Sequence, residues 1–251
     1  MRQVLAFIPF LLFFKSNSQI QTQLEQTISI ETDHFVGADY DFNYYYFSNT
    51  ILSKKSSKTV FNYSNYLYGN IASVDITNPL KIVVFYKDFN VVVLLDSQLN
   101  ETDVIQLPYD ISFVTKGTAN HLWLYTRNTQ VVENYNFKTN TVVSRSQPLK
   151  NTAVLSMKST ENYVYLLSES GIQTYDYLGS FIKEDIDKVI ETFQYNNRVL
   201  YTLSKDTLYQ KKDKSLAIVF PKISKIKNFF VLNNHFFIFD GSQLSIYSTE
   251  K

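Results

Sequence analysis

No cysteine occurs anywhere in the 251 residues. That excludes disulfides, thiolate metal sites, thiol nucleophiles and thiol redox chemistry. Stability has to come from packing and strand ladders. Glycine (6) and proline (5) are scarce, which argues against a low-complexity or disordered chain. Neither charge is in excess, with 24 Lys+Arg against 23 Asp+Glu. Without a basic surplus to hold phosphate backbones, nucleic acid is not an expected partner. The patterns G-x-S-x-G, H-E-x-x-H, the P-loop and G-x-G-x-x-G are all missing, so no catalytic or cofactor motif is legible.

What the chain has is aromatic and apolar: 19 Tyr, 20 Phe and 45% hydrophobic residues. Strand-rich chains use such residues heavily. No window carries a 3.6-residue apolar period; the best, Glu184–Thr192, is short and β-branched and reads as a turn leading into a strand. The strongest signal is Lys81 to Gln98. Two apolar runs, Ile82–Tyr86 and Val91–Leu95, flank the polar turn Lys87-Asp88-Phe89-Asn90. Each run has strand length, so the stretch is a β-hairpin. Both runs are apolar without alternation, so both faces must be covered.

Weaker copies of this hairpin recur. Asn43, Leu80, Asn120, Asn162, Asn197 and Asn234 each precede a strand-like run, 35 to 42 residues apart. A period near 40 with about four strands per unit is the pattern of propeller blades. Asn suits such positions because it tolerates left-handed backbone angles. Unit three divides into strands Ile111–Thr115, His121–Thr126, Thr129–Asn136 and Thr141–Arg145. Unit five divides into Val189–Gln194, Val199–Leu203, Thr207–Gln210 and Leu216–Phe220. The last unit, ending at Leu244–Tyr247, lacks an outer strand, while Thr27–Glu31 is spare at the other end. The expectation is an all-β, six-bladed β-propeller closed by its N-terminal strand, which leaves no open edge. An outer-membrane barrel would need longer, alternating strands, and a sandwich would alternate more cleanly.

The N-terminus has Arg2, an apolar block Val4–Phe14 and the small pair Ser16-x-Ser18. These are the parts of a secretory signal peptide, with cleavage expected after Ser18. The block is too short for an ordinary membrane span, which needs about 20 residues. The expected organisation is therefore a signal peptide over residues 1–18 and one propeller domain over 19–251. The mature chain is expected to be exported, periplasmic or outer-membrane-associated, with no transmembrane span.

The run Asn78 to Tyr86, followed by Asn90 to Asn100, resembles a group of uncharacterised exported β-propeller-like proteins of Bacteroidota-type bacteria. The resemblance is closest over residues 70–108, and the Lys/Asn/Tyr-rich composition agrees with it. It implies the fold and an exported address, and it carries no catalytic motif.

Candidate chemistry is sparse. His121 and His235 hold the same repeat position, but a metal site needs further ligands in phase, so neither is assigned as one. His34 stands apart. Asp39-x-Asp41-x-Asn43 opens like a calcium loop but continues with Tyr44 where the EF-hand pattern requires Gly, so it reads as a polar turn. Trp123 reads as core, and Lys205, Lys211, Lys212 and Lys214 as a solvated edge. Turns between second and third strands share one face of a propeller with the connections between blades. On that face Lys87, Asp88, Phe89, Arg127 and Asp240 are the candidate partner-binding residues, with Phe89 as an aromatic anchor. No catalytic residue, cofactor or metal is expected. The reading is a non-catalytic scaffold of the cell envelope that binds a partner protein. The alternatives are a metal-dependent hydrolase or lyase with its site at the central channel, and a glycan-binding propeller.

Overall fold

The computed structural model describes residues 20–149, 153–185, 189–212, 215–220 and 225–249. The expected signal peptide and Lys214 lie outside the described residues.

Six four-stranded antiparallel sheets stand around a channel. Blade 1 is β2 (His34–Ala38), β3 (Tyr44–Ser48), β4 (Ile51–Lys55) and β5 (Val60–Ser64). Blade 2 is β6 (Ser73–Asp75), β7 (Ile82–Tyr86), β8 (Val91–Leu95) and β9 (Glu101–Gln106). Blade 3 is β10 (Phe113–Lys116), β11 (His121–Thr126), β12 (Val131–Asn136) and β13 (Thr141–Arg145). Blade 4 is β14 (Val154–Ser159), β15 (Tyr163–Ser168), β16 (Gly171–Asp176) and β17 (Phe181–Asp185). Blade 5 is β18 (Thr192–Asn196), β19 (Val199–Ser204), β20 (Thr207–Lys212) and β21 (Ser215–Phe220). Blade 6 is β22 (Asn228–Leu232), β23 (His235–Phe239), β24 (Gln243–Thr249) and, outermost, β1 (Thr22–Ser29). β1 runs antiparallel to β24 with Thr22 opposite Thr249 and Ser29 opposite Gln243.

The hairpin β7–β8 shows why its strands are apolar on both sides. Ile82, Val84, Tyr86, Val91, Val93 and Leu95 pack with Tyr45 and Leu52 of blade 1. The alternate set, Val83, Phe85, Val92 and Leu94, packs with Val114, Leu122 and Leu124 of blade 3. Successive side chains of a strand point to opposite faces, so each middle strand fills two inter-blade cores at once. Outer strands see solvent on part of their surface and alternate accordingly, as in β13.

The turns use little glycine. Asn197-Arg198 and Lys205-Asp206 are two-residue loops in which both residues have positive φ, the geometry of a type I′ hairpin. The expected left-handed anchor asparagine holds at Asn197 alone. At Phe42, Ala119 and Asn233 the positive φ falls one residue before the anchor. Asn43 instead serves through its side chain, which donates to both oxygens of Asp39 at 3.0 and 2.9 Å. A second device closes the turns after the third strands. Asp96, Asn136 and Asp176 each accept two backbone N–H groups through Oδ1, the Asx-turn arrangement.

Inner-strand limits differ from expectation. Ile111 and Ile190 are buried but lie in the connections ahead of β10 and β18. Trp123 is buried between blades 3 and 4. Lys211 is half-buried and pairs with Asp185 at 3.2 Å, so the lysine run is not wholly a solvated edge.

Candidate loop face and central channel

Antiparallel blades put two kinds of segment on one face: the turns between second and third strands, and the connections to the next blade. Three equivalent ties brace this face in blades 1 to 3. The N–H groups of Ile71, Leu107 and Leu149 donate to the carbonyls of Asn49, Asn90 and Gln130 at 2.8, 3.0 and 2.8 Å. Each acceptor has positive φ and each donor residue is buried. A left-handed residue turns its carbonyl away from its own hairpin, which leaves it free to hold the connection.

Around Asn90 the bracing is tightest. Its carboxamide nitrogen donates to the carbonyls of Leu107 (3.2 Å) and Tyr109, and its Oδ1 accepts the Ile111 N–H at 3.1 Å. This fixes the turn carrying Phe89. On one side of it lies the single helical turn among the described residues, Tyr66–Tyr68, capped by the Asn65 side chain, which accepts from the Leu67 N–H. The chain leaves that turn through Gly69 at φ 73°, and a Cβ there would stand 3.6 Å from the Phe89 ring. On the other side is Tyr109, whose hydroxyl donates to the buried Glu133 carboxylate. Burial pushes the Glu133 carboxyl up, and Arg145 at 3.3 Å works the other way.

The result is an exposed apolar cluster at the junction of blades 1, 2 and 3. Phe89 is 54% exposed, Tyr66 77%, Leu67 74% and Tyr109 39%. Large exposed apolar side chains on braced backbone suit a contact surface. Of the residues expected from sequence, Lys87, Asp88 and Phe89 belong to this turn, and Arg127 lies in the β11–β12 turn of the neighbouring blade. Asp240 does not join them. It sits in blade 6, and its Oδ1 accepts from the Ser242 and Gln243 N–H groups and the Ser242 hydroxyl. Burial tends to raise its carboxyl, but these bonds hold it below the usual carboxylate range. Tyr66, Leu67 and Tyr109 were not anticipated. Aromatic and apolar residues in two inter-blade connections were the available signal.

The channel forms a cavity of about 840 Å³ lined mainly by the inner strands. Among the described residues, no three His, Asp or Glu side chains gather to hold a metal ion. His121 and His235 open β11 and β23, in separate blades. His121 meets the Thr118 hydroxyl at 3.4 Å, and His235 approaches Glu25 at 3.5 Å and Phe42 edge-on. His34 stacks on Phe47. The Asp39 carboxylate is engaged by the chain itself: by Asn43, by the Tyr45 hydroxyl at 2.9 Å and by Lys54 at 3.4 Å. Burial raises it, but the bonds from Asn43 and Tyr45 and the Lys54 charge hold it below its ordinary value. The calcium-like spacing is thus a self-satisfied turn.

These features define a six-bladed β-propeller with an exposed aromatic loop face. Solved structures share the fold. The WD40 domain of Neurospora crassa Pan2 superposes with a TM-score of 0.60 at 7% identity, over 88% of this chain and 75% of that one. Virginiamycin B lyase from Staphylococcus aureus gives 0.65 at 7%, over 91% and 99%. BamB from Moraxella catarrhalis gives 0.53 at 11%, over 91% and 100%. At these identities the likeness is one of fold. No protein-family model matches the chain, and no curated protein matches it in sequence.

Proposed function

We propose that the protein is an exported, non-catalytic scaffold that binds a partner protein in the cell envelope through the Phe89 loop face. The observation that carries this is the exposed cluster of Phe89, Tyr66, Leu67 and Tyr109 on hydrogen-bonded backbone. A prebuilt apolar surface binds without first losing loop entropy, and aromatic anchors dominate interface energies. WD40 and other propellers present rigid loop faces to partners, which supports the reading by analogy of fold. The apolar block Val4–Phe14, followed by Ser16-x-Ser18, supports export. The resemblance of residues 70–108 to exported Bacteroidota-type propeller proteins points the same way.

The test is a pair of affinity purifications from envelope fractions, one with the tagged wild type and one with a Leu67→Ser/Phe89→Ser variant. The reading expects a stoichiometric partner with the first and its loss with the second, both proteins melting alike. A partner retained by the variant, or a wild type that stays alone, overturns it.

A further inference from the structure

On the face opposite Phe89, a groove of about 470 Å³ lies between blades 4 and 5. Two tight turns form its rims. The β14–β15 turn, closed by the Thr160 N–H donating to the Tyr163 carbonyl at 2.8 Å, brings Thr160 and Asn162. The β18–β19 turn is the left-handed pair Asn197-Arg198. Between the rims lie three tyrosine rings, Tyr163 and Tyr165 of β15 and Tyr195 of β18. Tyr165 stacks on Tyr195 with centroids 4.1 Å apart, and the Tyr195 hydroxyl donates to Asp185 at 2.9 Å. These two rings are therefore held in place before any ligand arrives. Tyr163 is tilted against Tyr165 at 6.3 Å and is 39% exposed, so it presents open ring surface.

Every side chain lining the groove ends in a hydroxyl, a carboxamide or a guanidinium. That composition does not suit a lipid-like occupant. It suits a molecule that is apolar on its faces and hydroxylated at its edge. A pyranose is such a molecule: its C–H bonds cover an aromatic ring, and its hydroxyls meet carboxamides that donate and accept in one plane. The Asn162, Asn197 and Arg198 side chains make no hydrogen bond or ion pair among the described residues, so all three are available to a ligand. The two turns carry one charge of each sign, Glu161 and Arg198, which favours a neutral ligand over an anion. The volume is in the range of small-ligand sites. The groove also runs into the mouth of the central channel, whose wall shares Thr160, Tyr165, Tyr195 and Asn197. It can therefore take a stretch of chain rather than a single ring.

We propose that this groove binds a neutral glycan chain, with one pyranose lying on Tyr163 and its hydroxyls bonded by Asn162, Asn197 and Arg198. The site is on the opposite face from the Phe89 cluster and does not depend on the partner reading. One molecule would thus hold a glycan and a protein at the same time.

The experiment is calorimetric titration of the purified protein with cellotetraose, maltotetraose, mannotetraose and tetra-N-acetylchitotetraose. Benzyl alcohol serves as a ring-bearing probe without the polyol. At least one tetrasaccharide binds, and it binds more tightly than its own monosaccharide. Tyr163→Ala weakens that binding by roughly tenfold or more, whereas Tyr163→Phe keeps it within a few-fold. Arg198→Gly weakens it several-fold yet melts no lower than the wild type, because glycine suits the second position of a type I′ turn. A purely structural role for Arg198 would leave binding untouched. If Tyr163→Ala does not fold, Arg198→Gly decides. Phe89→Ser leaves the titration unchanged, which separates failure here from failure of the partner face. Failure of all the tetrasaccharides to bind the wild type overturns the proposal. So does undiminished binding by folded Tyr163→Ala or, in its place, by Arg198→Gly. Benzyl alcohol binding as tightly as the sugars overturns it in favour of a flat aromatic ligand, and a monosaccharide binding as tightly as its tetrasaccharide removes the chain.

Discussion

Asn90 holds Ile111 across the gap between blades 2 and 3: Oδ1 of the first accepts the backbone N–H of the second at 3.1 Å. The same side chain donates to Leu107 and Tyr109, and the same residue has φ 54°. One asparagine thus supplies a left-handed turn and fastens the connection behind Phe89. Asn90→Ala loses these bonds and strains the backbone, which should cost about 2–4 kcal/mol. Asn90→Gly keeps the left-handed angle and should cost less. Urea unfolding of both variants separates the two contributions; equal losses would mean that the backbone angle contributes nothing.

The middle strands make a sharper claim about packing. Leu94 is fully buried between blades 2 and 3, whereas Val104 on the outer strand is about half exposed. Leu94→Ala should lower stability by about 2–5 kcal/mol. Val104→Ala should stay within about 0.5 kcal/mol. A Leu94→Ala protein that unfolds at the wild-type urea concentration would show that the inter-blade cores do not carry the fold.

Gly179 tests a close approach. It has φ 79°, and a Cβ on it would lie 2.5 Å from the Arg145 backbone of blade 3. The turn is held there by the Ser144 hydroxyl, which donates to the Tyr177 carbonyl at 2.7 Å. Gly179→Ala has both a strained backbone and an overlap with atoms that cannot step aside, so about 1–3 kcal/mol should be lost. Thermal melting checks this; an unchanged Tm contradicts the contact.

Legibility in the sequence followed burial. The hairpin Ile82–Tyr86/Val91–Leu95 was readable to the residue because both faces of both strands are covered. Inner strands were not, because they line a channel. Thr115, Gln194 and Asn196 belong to strands yet are polar. Apolar Ile111 and Ile190 are buried in connections, and they drew the expected strand starts two or three residues early. The turn carrying Lys87, Asp88 and Phe89 was found from topology alone. Its neighbours Tyr66, Leu67 and Tyr109 come from separate connections, and only the ring arrangement brings them beside it. Asp240 lies on the same face in the β23–β24 turn of blade 6, where its Oδ1 also closes its own turn.

Acid stability should depend on Asp185. Burial raises its carboxyl, but contacts with Lys183 (2.7 Å), the Tyr195 hydroxyl (2.9 Å) and Lys211 (3.2 Å) hold it below its ordinary value of 3.8. A carboxyl lowered by folding contributes stability above 3.8 and loses it as pH falls through the folded value. Asp185→Asn should therefore cost about 1–3 kcal/mol at neutral pH, and its difference from wild type should shrink on acidification below 3.8. Glu133, raised by burial, runs the opposite way: its contribution is present below its ordinary value of 4.5 and declines as pH rises through the raised one. A wild-type-minus-Asp185→Asn difference that grows in acid contradicts the assignment.

The pairing of β1 with β24 joins the first described strand to the last. Removing residues 19–32 strips the outer strand from blade 6 and exposes Leu244 and Ile246, which pack with Ile28 and Ile30. Loss of the buried Ile30 and the half-buried Ile28 is worth about 2–4 kcal/mol, and the open edge invites association. Light scattering should show aggregation of the truncated chain; a monomer with the parental Tm would contradict closure as a source of stability.

The central claim concerns the loop face, and photo-crosslinking in cells tests it most directly. A photoreactive phenylalanine analogue is placed at Phe89, and in a second protein at Leu178, which is exposed on the opposite face in blade 4. The account predicts one discrete crosslinked species from position 89, abolished by Leu67→Ser in the same chain, and none from position 178. Equal crosslinking from both positions, or none from position 89 while the protein is folded and in its compartment, would contradict it.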